Sequence, residues 1–75
     1  MTDEYELKDR VLALIQEDDQ ITLAVTEAIK LKRNDWLTDL VQTIAATMRI
    51  ANQAAKIIKA VVDWLNILFQ YYSST

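Results

Sequence analysis

Apolar residues recur along this chain in steps of three and four, and that beat predicts helices from one end to the other. Leu7, Val11, Leu14 and Ile15 fall on one face, widened by Tyr5 and Leu12, while Glu4, Lys8, Asp9 and Arg10 fall on others. Asp3 and Glu6 stand at capping-box spacing, and Glu4 with Lys8 makes a favourable i,i+4 pair. The spacing predicts a first helix over residues 4–17. The polar run Gln16, Glu17, Asp18, Asp19, Gln20 ends it, and Asp18 or Asp19 suits the cap of the next. That second helix, over 20–32, carries Ile21, Ala24, Val25, Ala28, Ile29 and Leu31 on its inner side. Lys30, Lys32 and Arg33 suit its C-terminus, where cations meet the negative end of the dipole. Asn34 or Asp35 is the expected N-cap of the third helix.

From Leu37 the pattern becomes stricter. Alternate steps of four and three land on Leu37, Val41, Ile44, Met48, Ala51, Ala55, Ile58, Val62, Leu65, Phe69 and Tyr72, all apolar. Asp39, Gln42, Arg49, Asn52, Lys56, Lys59, Asp63, Asn66 and Gln70 form a polar stripe with the same rhythm. A 3.5-residue repeat held in phase is the mark of a helix lying along another helix. The expectation is therefore all-α: two short helices followed by one long helix over 35–72, about 55 Å in length, in an oligomeric bundle. The alternative is a monomeric four-helix bundle with a break near Asn52, where Asn52 would cap a fourth helix. Ala51, Ala54 and Ala55 flank that site and favour helix continuity.

Composition sharpens the helical reading. The 75 residues include no Gly, Pro, Cys or His, whereas turn-rich β folds lean on Gly and Pro. At 52% hydrophobic and 25% charged, the chain is too apolar for intrinsic disorder, and its length suits one domain, residues 1–75. Charge is uneven: the first 35 residues carry a net of −4 and the remaining 40 a net of +1.

The C-terminal segment is thus short of charge and rich in large apolar groups. Ala54, Ile57, Val61, Trp64, Leu68 and Tyr71 form a second apolar row beside the main stripe. A straight helix would leave this surface uncovered within one chain. The expected remedy is self-association, most simply a two-fold homodimer. The expected interface is Ile57, Ile58, Val61, Val62, Trp64, Leu65, Leu68, Phe69, Tyr71 and Tyr72. In a chain standing alone, the same row would serve as a groove for another helical protein.

Chemistry has few materials here. Without His or Cys there is no neutral-pH acid–base group or thiolate, and Ser73 and Ser74 have no base beside them. Glu17, Asp18 and Asp19 lack the spacing and glycine of a calcium loop. No enzymatic activity, cofactor, metal site or small-molecule substrate is expected. A helix-turn-helix reading of residues 21–44 fails at its turn, and the net charge of −3 disfavours nucleic acid. Lys56 and Lys59 beside Asp63 make too weak a basic face for a membrane surface. With no apolar stretch of spanning length and no signal-like start, the expected location is cytoplasmic. The function expected is a non-enzymatic assembly or protein-interaction module. Its alternatives are an engineered bundle without biological function and a small nucleic-acid-associated regulator.

Overall fold

The computed structural model describes residues 3–48 and 55–73, which form four helices: α1 (Asp3–Glu17), α2 (Asp19–Lys30), α3 (Asn34–Thr47) and α4 (Ala55–Ser73). Among the described residues there is no strand.

Helices α1 and α2 are joined through Asp18 alone. Its backbone is extended, and its Oδ1 accepts from the amides of Gln20 at 2.9 Å and Ile21 at 3.4 Å, which satisfies two of the donors a helix start leaves unpaired. The Thr22 hydroxyl, one turn into α2, donates back to the Ile15 carbonyl at the end of α1. This contact ties the two helix ends together and satisfies a carbonyl that α1 itself cannot reach. Asp3 is the first residue of α1 rather than the residue before it, so the expected capping box does not form around Asp3.

Helix α2 stops without glycine. Arg33 N–H donates to the Ala28 carbonyl at 2.7 Å and Lys32 N–H to the Ile29 carbonyl at 3.1 Å, the paired bonds of a Schellman ending. That ending needs a left-handed residue after the cap, and Lys32 supplies it with φ 59°. The N-cap of α3 is then Arg33, whose side chain makes no cap bond. Asn34 and Asp35, the expected caps, lie inside the first turn instead.

The long helix over 35–72 is not what the chain forms. Helices α3 and α4 are separate and lie against each other, with the Asn66 amide donating to Asn34 Oδ1 at 3.0 Å across 32 residues of sequence. A single rod cannot bring its start beside its own distal half, so the chain reverses between the two helices. The arrangement fits the four-helix alternative. Asn52, where the break was expected, lies outside the described residues.

Each helix gives at least three residues to one core, among them Leu7 and Val11 of α1, Val25 of α2, Leu37 and Val41 of α3, and Val61 and Leu65 of α4. No polar side chain is buried among the described residues. At about 1.5–3 kcal/mol for each large side chain removed from water, the stripe of α4 is worth more inside its own chain than waiting for a partner. Burial of Ile58, Val61, Val62 and Leu65, all at 4% exposure or less, removes the stranded surface on which the dimer argument rested.

Candidate interaction surface

Helix lengths set what remains exposed. At 1.5 Å per residue, α4 with its 19 residues spans about 28 Å. Helices α2 and α3, with 12 and 14 residues, span about 18 and 21 Å. The Asn34–Asn66 bond fixes the axial register, because Asn34 opens α3 and Asn66 sits in the second half of α4. Residues 67–73 therefore run about 10 Å past the start of α3.

A second pair of contacts fixes α4 against α1. Lys8 Nζ lies 5.6 Å from the centre of the Trp64 ring and 5.5 Å from that of Tyr5, and pairs with Glu4 at 2.9 Å. Two aromatic faces and a carboxylate hold the ammonium of Lys8, whose side chain as a whole is four-fifths buried. Trp64 is thus level with Lys8, and α4 runs on past the start of α1 as well. The last turns of α4 form a tip that overhangs both α1 and α3.

That tip shares its end of the bundle with the start of α1 and with the α2–α3 turn. Tyr5, Leu31, Ile67 and Tyr71 are 69, 59, 68 and 73% exposed, and the topology gathers all four at this end. Trp36 and Phe69, half-buried, pack from there onto the core. Two shallow depressions adjoin it. One, of about 220 Å³, is lined by Ala24, Glu27, Ala28, Leu31, Arg33 and Trp36. The other, of about 440 Å³, is lined by Lys32, Asn34, Asp63, Asn66, Ile67 and Gln70. Leu23, the remaining large exposed apolar side chain, stands apart on α2.

The ten residues expected to form an interface are thus divided. Ile58, Val61, Val62 and Leu65 are in the core of their own chain. Ile57, Trp64 and Phe69 pack against that core from its edge, and Leu68 is half-buried. Of the expected set, Tyr71 is open to solvent, and the Tyr72 side chain lies outside the described ones. Tyr5, Leu31 and Ile67 were not among the expected residues. Periodicity assigned Tyr5 and Leu31 to inner faces, and only the pairing of helix ends puts them at the same end as Tyr71.

Among the described residues, no group of three Asp or Glu side chains is placed to hold a metal ion, and no helix is long and apolar enough to cross a membrane. Comparison of the chain with known protein families, with curated proteins and with solved structures finds no match.

Proposed function

We propose that this chain is a non-enzymatic helical interaction module that self-associates through its C-terminal helix, with a homodimer as the simplest assembly. The supporting observation is the overhanging tip of α4, where Ile67 and Tyr71 are 68% and 73% exposed at the end of the bundle that also holds exposed Tyr5 and Leu31. Large apolar side chains left exposed at one end of a domain with so apolar a core support a protein–protein contact there. The surface is smaller than the row of ten residues, since the middle of α4 serves the chain's own core. The composition supports the non-enzymatic part of the reading: without His and Cys, the usual acid–base and nucleophilic groups at neutral pH are missing.

Sedimentation equilibrium tests the proposal. The expected mass is twice 8.6 kDa at micromolar concentration, returning to 8.6 kDa in an Ile67→Glu variant whose circular dichroism is unchanged. A wild-type mass of 8.6 kDa at concentrations approaching millimolar would overturn it.

A further inference from the structure

Helices α3 and α4 share one beat although the fold does not ask them to. Two helices joined by a reversal each need an apolar stripe facing the core, but nothing ties the phase of one stripe to that of the other. Leu37, Val41 and Ile44 of α3 and Ile58, Val62 and Leu65 of α4 are buried, and in sequence they lie on one uninterrupted repeat of four and three. The outer face keeps the same count, with Asp39, Gln42, Lys56, Lys59 and Asp63 exposed. In sequence, residues 48–54 read Met, Arg, Ile, Ala, Asn, Gln, Ala, without Gly or Pro. An in-line pairing of α3 with α4 needs such a phase and such a composition. The reversal tolerates both and needs neither. Helix α4 is also suited to exchange: it lies against α1, α2 and α3, its buried residues are all apolar, and a single connection ties it to the other three.

From this we infer that two copies of the chain can trade α4. In the exchanged pair, α3 and α4 of one copy lie in line, and α4 takes its place beside the other copy's α1, α2 and α3. The trade is mutual, so it closes as a two-fold dimer. Both four-helix cores are rebuilt from the same side chains, and only the path between α3 and α4 differs. The partner is a second copy because it carries the one helix already shaped for the vacated place. In the closed chain the connection holds α4 near its own site at an effective concentration on the order of 1 mM. Exchange therefore competes once the chain itself is that concentrated and has passed through the unfolded state. The inference stands apart from association through the tip, since Ile67 and Tyr71, exposed in the closed chain, take no part in the trade.

Crosslinking tests the exchange in the full chain carrying Ile67→Glu, which removes association through the tip. The chain has no cysteine, so Asn34→Cys with Asn66→Cys puts the only thiols where the 3.0 Å amide bond joins α3 to α4. The protein is unfolded in urea, refolded under reductant at about 10 μM or about 1 mM, and linked with a short bismaleimide. The dilute sample is expected to link within single chains. The concentrated sample is expected to hold at least about ten times more chain of doubled mass in denaturant, with residue 34 of each copy mapped to residue 66 of the other. Asn52→Gly with Gln53→Gly is expected to cut that share at least about tenfold, because glycine disfavours the in-line form. Sedimentation of the cysteine-free Ile67→Glu chain at the same two concentrations covers any folding defect of the thiol pair, with dimer expected only in the concentrated sample. Links that stay within single chains at about 1 mM, a refolded chain that sediments there at 8.6 kDa, or a glycine pair that changes nothing would each overturn the exchange. None of those results touches association through the tip, which is read from the chain with Ile67 in place.

Discussion

Leu65 decides between a helix that completes its own chain's core and one that waits for a partner. Its side chain is fully buried, one of the largest in the core together with Leu7 and Leu37. Leu65→Ala removes three carbons from that site. At about 0.8 kcal/mol per buried methylene the transfer loss is roughly 2.4 kcal/mol, and the cavity left behind raises the expected cost to about 3–4 kcal/mol. A domain of this length has a total stability on the order of 4–11 kcal/mol, so the substitution removes from about a third to nearly all of it. Urea titration followed by circular dichroism, in the Ile67→Glu background to remove self-association, reads the change directly. With a slope of about 1 kcal/mol per molar for so small a domain, the midpoint falls by roughly 3 M. Ile67→Ala, two positions along the same helix and 68% exposed, is the control and should move stability by no more than about 0.5 kcal/mol. The loss at Leu65 should not depend on protein concentration. A cost below about 1 kcal/mol, or one that grows on dilution, would mean that Leu65 packs against another chain and that the four-helix core is wrongly drawn.

Two further substitutions address the helix ends. Asp18→Ala removes the acceptor for the Gln20 and Ile21 amides and should lower stability by about 1 kcal/mol, read as a drop in urea midpoint with the slope unchanged. Lys32→Gly should raise stability by about 0.5–1 kcal/mol, because Lys32 holds φ 59°, a conformation glycine adopts without steric cost; an unchanged or lower melting temperature would contradict that.

Helices α1 and α2 were legible in the sequence because periodicity and end signals agreed there. The helix start at Asp18, the basic end of α2 and the Glu4–Lys8 pair all occur where the residues suggested. The path after Leu37 was not legible, because two antiparallel helices that share a core each keep a heptad beat of their own, and a beat that stays in phase does not tell a rod from a reversal. Leu37, Val41 and Ile44 on one helix and Ile58, Val62 and Leu65 on the other keep the same rhythm while facing one another across a shared core. Asn34 misled for a different reason: an amide suited to capping α3 spends itself on Asn66 instead. The candidate surface was half legible. Tyr71 could be picked out as an uncharged aromatic near the C-terminal end, but the company of Tyr5 and Leu31 depends on which helix ends meet.

The Asn34–Asn66 bond carries a consequence for how the molecule would be tuned. In a core that is wholly apolar among the described residues, this bond is a directional contact that favours one axial setting of α4 over its neighbours, beside Lys8 against Trp64. It is exposed and worth about 1 kcal/mol, so replacing either amide would shift the reach of the α4 end only by that weight.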